Sequence, residues 1–87
     1  MKMAQNYINT RVIESVYGAE YLVQGQSSRS YNWETIVRYP ITQKAVAEID
    51  ACNKAKKYSE KAGRLVTAYN CGGYGIKSFV NGEEYTR

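Results

Sequence analysis

Residues 33–63 read WETIVRYPITQKAVAEIDACNKAKKYSEKAG and hold the signals that decide the fold. The first part alternates between two faces and is rich in β-branched and aromatic residues, which predicts a strand. Pro40 ends that strand, and Thr42 is a good N-cap for a helix over residues 43–62. Gly63 supplies the C-terminal stop. A strand followed by one long helix therefore forms the centre of the chain.

The predicted helix has one side of mostly small side chains. At about 100° per residue they form a single stripe, and small residues allow a helix to lie close against a sheet. We expect Ile49 to be the apolar centre of this stripe, with Val37, Leu65 and Ile76 packed against it. The stripe comprises Ala45, Ile49, Cys52, Ala55, Ser59 and Ala62.

Residues that favour strands flank this centre on both sides. An Asn-Gly pair at residues 81–82 is a strong hairpin signal. The order β-β-β-α-β-β-β predicts an α+β fold, in which an antiparallel sheet of five to six strands carries one α-helix packed on one face. The chain, residues 1–87, fits a single domain. The predicted strands cover residues 7–16, 20–24, 33–39, 64–70, 74–80 and 83–87.

Composition disfavours metal-binding, membrane and secreted classes. The chain has no histidine, and Cys52 and Cys71 are too few for a disulfide scaffold or a zinc site. We expect both thiols to be free, with no metal and no cofactor bound. Residues 1–6 lack the apolar run of a signal peptide, and no stretch approaches ~20 apolar residues. The expected location is cytoplasmic, inside a host cell.

Catalysis is not expected. Acid–base and nucleophilic chemistry require titratable groups in suitable pairs. The single aspartate, Asp50, lies on the expected exposed side of the helix, and the glutamates form no pair at a recognisable spacing. Without a histidine to activate it, a thiol such as Cys71 is a poor nucleophile. The sequence therefore predicts a binding protein and no enzyme.

Tyrosine is unusually frequent, with nine tyrosines against one phenylalanine. A buried tyrosine hydroxyl needs a hydrogen-bond partner, and a sheet with one helix cannot enclose so many rings. Several should therefore be exposed, where tyrosine is a common anchor of interfaces. Tyr69 and Tyr74 flank a glycine turn at residues 71–73 and are the first candidates. Tyr31 and Trp33, beside a serine-rich loop, are the next candidates, although the core is the more expected place for Trp33.

Basic residues give a second candidate surface on the helix. Lysines at spacings of three and four share one line along its exposed side, and the net charge of +4 suits an acidic partner. The pairs Asp50–Lys54 and Lys56–Glu60 also fit an ordinary solvated helix face. The candidate residues of this surface are Lys54, Lys57, Tyr58, Lys61 and Arg64.

The glycine-rich segment at residues 72–78 matches two known motifs in part. A phosphate-binding loop is excluded, because the first glycine is absent and a strand follows where a helix is needed. Tyr74 and Phe79, with the glycines beside Tyr74, match part of the aromatic strand of RNA-recognition-motif domains. That fold needs a further helix and strand, for which too few residues follow. Tyr74 could still stack on a base.

In size and layout the chain resembles small phage-encoded inhibitors, the anti-CRISPR proteins among them. The resemblance rests on a glycine-bordered strand at residues 63–69, an aromatic strand at residues 72–79 and the closing segment at residues 81–85. It carries over no functional residue. It implies a phage protein that blocks a host defence complex, a protein or ribonucleoprotein assembly, by protein–protein contact.

Two other functions stay open. A nucleic-acid-binding module would use the basic helix face and exposed tyrosines, and its weak binding would fall steeply with salt. A structural or assembly protein would form a homodimer or larger oligomer by pairing exposed edge strands.

Overall fold

The elements of the fold follow the predicted order. The computed structural model describes residues 6–15 and 17–86, in which a six-stranded sheet carries one helix on one face. The α+β prediction is confirmed. The predicted strand ends at Val16 and Arg87 lie outside the described residues. The elements are β1 (Tyr7–Glu14), β2 (Glu20–Ser27), β3 (Trp33–Pro40), α1 (Lys44–Ala62), β4 (Val66–Tyr69), β5 (Gly75–Val80) and β6 (Glu83–Glu84).

The sheet is mostly antiparallel, as predicted, and contains one parallel pair that the sequence does not predict. Its order is β3-β2-β1-β4-β5-β6, and every neighbouring pair is antiparallel except β1 and β4. The first three strands form a meander, so β1 and β3 run in the same direction. α1 then carries the chain back along the sheet, and β4 starts at the same end as β1. Parallel pairing of β1 with β4 follows from this helical connection.

α1 contacts the sheet through a stripe that overlaps the predicted one only in part: Ala55 and Ser59 are buried as predicted, whereas Ala47 and Ala51 take the places expected for Ala45 and Ile49. The buried stripe consists of very small side chains at four-residue spacing, whereas Ile49 is 61% exposed. Close approach explains the difference, because the Thr10 hydroxyl of β1 donates a 2.8 Å hydrogen bond to the backbone carbonyl of Ala51. A larger side chain at this contact would push the helix away from the sheet. The buried residues of α1 are Ala47, Ala51, Ala55 and Ser59.

Other members of the predicted core also lie at the surface. Ala45, Leu65 and Ile76 are exposed, and the prediction is wrong for them. Val37 and Cys52 are half-buried against the core, as predicted. Short side chains between α1 and the sheet form most of the core instead. The core cluster is Val12, Val23, Ala47, Ala51, Ala55, Val66, Ala68 and Phe79.

A bulge in β3 sends the side chains on its two sides to different faces. The ladder between β2 and β3 skips Ile36, and an extra residue shifts the alternation by one. Val37 therefore faces α1 and packs against the core. Trp33 faces away from α1 and lies against Arg11 on the uncovered face. The prediction of Trp33 in the core is wrong for this reason.

The ends of β2 and α1 also differ from the prediction. β2 continues through Gly25, where a Cβ atom would lie 2.5 Å from the ring of Tyr7, so glycine permits a close approach. The N-cap of α1 is Gln43 and not Thr42, and no side chain caps the helix there. The Gln43 N–H donates to the Pro40 carbonyl at the end of β3. Gly63 ends α1 in the left-handed conformation with φ 64°, as predicted.

Candidate binding surface on the uncovered sheet face

The face of the sheet that α1 leaves uncovered holds an arginine in a fixed position. Arg11 on β1 points away from the helix, because its neighbours Thr10 and Val12 are buried beneath it. Its guanidinium carbon lies 4.2 Å from the centroid of the Trp33 ring, a cation–π contact. Its Nε donates a 2.9 Å hydrogen bond to Gln24 Oε1. The Trp33 ring and the Gln24 amide thus fix the position of the guanidinium.

Rows of side-chain hydrogen bonds order this face. The Gln24 amide that accepts from the guanidinium also donates to the Thr35 hydroxyl at 3.0 Å. In a second row, Asn9 donates to Gln26 at 3.0 Å and accepts the backbone N–H of Thr67 at 3.3 Å. The first row of bonds crosses from β3 through β2 to Arg11 on β1. The second row crosses from β2 through β1 to β4. The face is therefore organised by the protein itself, which lowers the entropy cost of binding.

A groove of about 350 Å³ opens beside the guanidinium, and we name it the Arg11 groove. Trp33 and Tyr69 line it, together with Asn9 and Ile13. Tyr69 pairs with Arg11 in the parallel ladder, so the two side chains stand on the same face. The groove thus combines two aromatic rings with one cation. These are the residue types that dominate interface hot spots.

The charge of Arg11 is not compensated within the described residues. Burial lowers the pKa of its guanidinium, since removal from water disfavours the charged form. An arginine nonetheless stays protonated at neutral pH. Three ion pairs form within the described residues, and none of them involves Arg11. The ion pairs of residues 6–15 and 17–86 are Arg38–Glu20, Lys54–Asp50 and Lys77–Glu84.

The turn at residues 70–74 borders the Arg11 groove and is closed by its own hydrogen bonds. Asn70 Oδ1 accepts the backbone N–H groups of Gly72 at 2.9 Å and Tyr74 at 3.1 Å, and its carbonyl accepts that of the residue between them. A phosphate-binding nest would need these N–H groups free. Cys71 also lines the groove. Desolvation raises the pKa of its thiol, so the protonated form is favoured at neutral pH.

The tyrosines predicted as anchors lie at two ends of the sheet. Tyr69 is half-buried in the Arg11 groove, and Tyr74 is 75% exposed in the turn beside it. Tyr31 is 65% exposed in the turn between β2 and β3, which lies at the start of β1. The turn at residues 70–74 instead follows β4 beyond its pairing with Arg11. The structure therefore brings Tyr69 and Tyr74 together and leaves Tyr31 apart.

The predicted basic surface lies on α1, on the other side of the sheet from Tyr69. Lys54 is half-buried and pairs with Asp50 at 3.1 Å, so its charge is compensated. The Tyr58 ring packs edge-on against Tyr7 with centroids 4.9 Å apart, and burial raises the pKa of its hydroxyl. It is therefore not available for stacking. The exposed cations of the predicted surface are Lys57, Lys61 and Arg64.

The partial match to an RNA-recognition-motif strand is not supported by the geometry. That motif stacks bases on exposed rings of the sheet. Phe79 is only 7% exposed and belongs to the core beneath α1. Tyr74 lies in the turn that precedes β5. The segment is therefore a hairpin strand that completes the core.

A larger groove of about 780 Å³ runs between α1 and the hairpin of β5 and β6. It is lined by Ile49, Cys52 and Ile76, which the sequence places in the core. Lys77 on β5 and Glu84 on β6, both on the hairpin wall of this groove, form an ion pair at 3.6 Å. Aliphatic side chains and a closed ion pair give a partner fewer directional contacts than a guanidinium in a groove lined by two aromatic rings. The smaller Arg11 groove is therefore the better candidate for recognition.

Arg11 is the central residue of this site and is not among those predicted from the sequence. The sequence did carry a signal for its direction. Successive side chains of a strand point to opposite faces, so if Thr10 and Val12 face the core, Arg11 between them faces away from it. Its contact with Trp33 had no such signal. That contact depends on the bulge at Ile36, two strands away from β1.

Comparisons with known proteins leave function to be inferred from the side chains. The chain matches no protein-family model, no curated protein and no solved structure. Within residues 6–15 and 17–86, no three histidine, cysteine or carboxylate side chains are grouped so that they could hold a metal ion. No helix in this part of the chain is both long and apolar enough to cross a membrane.

Proposed function

We propose that this protein is a non-catalytic binding protein that holds a partner protein on the uncovered face of its sheet. The observation that carries the proposal is the arrangement of Arg11, Trp33 and Tyr69 around one groove. A partner that buries a true anchor of this kind gains about 2 kcal/mol or more from it. The ordered rows of amides beside the groove supply polar contacts around the anchors.

The distribution of charge favours a protein over nucleic acid as the partner. Phosphate binding requires several lysines or arginines along one surface. The lysines of the described residues lie on α1, apart from Lys77, which lines the larger groove. On the uncovered face, Arg38 pairs with Glu20 at 2.7 Å. One uncompensated cation between two rings suits a protein surface better than a phosphate backbone.

Assembly through edge strands has less support. β3 forms one edge of the sheet. It contains the bulge at Ile36 and ends at Pro40. Bulges and prolines on an edge strand oppose pairing with another chain. A mass measurement in solution should therefore give a monomer, whereas a stable dimer would favour the assembly function.

The partner class we propose is a cytoplasmic host defence complex, which follows from the resemblance to phage-encoded inhibitors. A small protein with rigid aromatic anchors is suited to covering a working surface of a larger assembly. The exposed cations Lys57, Lys61 and Arg64 would mainly speed association with an acidic target. The assay is plaque formation by a phage on a CRISPR-immune host that expresses the protein. Wild type should permit plaques, and absence of protection in every immune system tested would reject this partner class.

Affinity capture from a nuclease-treated host lysate tests the binding function itself. The baits are wild type, Trp33→Ala/Tyr69→Ala on the uncovered face and Lys57→Ala/Lys61→Ala on α1 as the matched control. Proteins retained by wild type should be lost from the first variant and kept by the second, as measured by quantitative mass spectrometry. Loss with the lysine variant alone would place the binding surface on α1 and contradict the proposal.

A further inference from the structure

The guanidinium of Arg11 is fixed in place but has unused donors. Within the described residues only its Nε–H is bonded, to Gln24 Oε1 at 2.9 Å. The donors of both Nη groups find no protein acceptor there. The guanidinium carbon lies over the Trp33 ring, 4.2 Å from its centroid. Arg11 lines the groove, so its unused Nη donors are available to an incoming group.

We infer that the Arg11 groove receives a carboxylate of the partner protein, the side chain of an aspartate or glutamate. The Nη donors of Arg11 would bind it, with Trp33 and Tyr69 on either side. A guanidinium edge matches the two oxygens of a carboxylate in a bidentate pair. The inference rests on the proposed binding function and names the chemistry that the partner brings to it.

Charge decides for an acidic group over a neutral one. A partner that covers the groove removes Arg11 from water, and an unpaired buried charge is strongly unfavourable. No carboxylate of residues 6–15 and 17–86 forms an ion pair with this guanidinium, so the compensating anion must come from outside that part of the chain. A neutral amide could accept the hydrogen bonds but would leave the charge uncompensated.

The donors around the groove favour a carboxylate over a phosphate. A phosphate site ordinarily adds backbone N–H groups or further cations to one arginine. The N–H groups of Gly72 and Tyr74 are bonded to Asn70 Oδ1. Among the described residues that line the groove, Arg11 is the only Lys or Arg. A single guanidinium, without free backbone N–H groups or further cations beside it, is better matched by a carboxylate, which is planar and carries one charge.

A small aromatic acid provides a direct test by NMR titration. Benzoate is the probe, benzamide is its neutral match in shape, and phenyl phosphate is the competing anion, all at one ionic strength. Trp33 is the single tryptophan of the chain, so one indole N–H resonance reports on the groove. We expect benzoate to shift this resonance with a dissociation constant on the order of 1–10 mM. Benzamide and phenyl phosphate should each bind at least tenfold more weakly.

Two variants identify the group that binds. Arg11→Gln removes the charge and should weaken benzoate binding by tenfold or more, whereas the matched Lys57→Gln on α1 should leave it unchanged. Amide spectra show whether each variant is folded. If Arg11→Gln does not fold, Arg11→Lys retains the charge without the planar fork and should weaken binding several-fold.

The outcomes separate this inference from the proposed function. Equal binding of benzoate and benzamide, tighter binding of phenyl phosphate, or unchanged benzoate binding by the arginine variants would overturn the carboxylate assignment. Capture of the partner through Trp33 and Tyr69 would survive such a result. If benzoate binds as expected but the Trp33→Ala/Tyr69→Ala bait still captures the partner, the acidic site stands and the proposed function fails.

Discussion

The two faces of the sheet differ in chemistry although the same strands supply both. Against α1 the strands place short apolar side chains such as Val12, Val23 and Val66, all fully buried. On the uncovered face the intervening positions carry amides, hydroxyls and Arg11, joined by hydrogen bonds. One face excludes water, and the other presents an ordered polar surface with two aromatic rings.

The difference separates stability from recognition. Burial of apolar area supplies most of the free energy of folding, so the covered face should govern stability. Hydrogen bonds between polar side chains near water add only about 0.5–1.5 kcal/mol each. Substitutions on the uncovered face should therefore alter binding far more than folding.

The largest effect on stability is expected where α1 meets the sheet. Ala51 is fully buried against Thr10, so Ala51→Asp would bury an unpaired carboxylate and should cost about 3 kcal/mol or more. Ile49→Asp, two residues away, replaces a side chain that is 61% exposed and should change stability by less than about 0.5 kcal/mol. Urea denaturation of both variants measures the contrast. If Ile49→Asp unfolded the protein and Ala51→Asp did not, the side of α1 that faces the sheet would be the opposite of the one described.

A smaller effect is expected from glycines in the strands. A methyl group at Gly25 would lie 2.5 Å from the Tyr7 ring on the covered face, so Gly25→Ala should cost about 1–3 kcal/mol. At Gly75 the nearest side-chain atom, from Thr67, is 3.5 Å away, an ordinary contact. Gly75→Ala is the matched control and should be neutral or slightly stabilising. Equal thermal stability of the two variants would show that Tyr7 does not lie over Gly25.

Alkaline pH should weaken the covered face through Tyr7. Burial, and then the hydrogen bond to Glu34, raises the pKa of its hydroxyl to about 12 from the usual 10.0. The folded state thus favours the protonated phenol, and this contribution is present below about pH 10 and lost as the pH rises through about 12. In urea titrations over this window, Tyr7→Phe should lose less stability than wild type. Tyr39 and Tyr58 also have raised pKa values, so the variant should keep part of the loss of stability with rising pH. If stability fell equally steeply with pH in both proteins, Tyr7 would not be the group responsible.

The sequence predicts the kind and order of the elements because strand alternation, Pro40 and Gly63 act locally. It does not predict the rotation of α1. Apolarity favours Ile49 as the buried centre, whereas close approach to Thr10 selects a row of alanines. Nor does it predict the groove, since the meeting of Arg11 with Trp33 depends on a bulge in a different strand.

The most direct measurement of the central claim compares affinity with stability for Trp33→Ala. Once a partner has been captured and purified, isothermal titration should show binding weakened roughly 30-fold or more, which corresponds to about 2 kcal/mol. The urea midpoint of the variant should stay close to that of wild type. Lys57→Ala/Lys61→Ala on α1 should change the dissociation constant by less than about threefold at physiological salt, because exposed charges contribute little. Unchanged affinity of a folded Trp33→Ala protein, with the loss found in the lysine variant instead, would contradict the assignment of binding to the uncovered face.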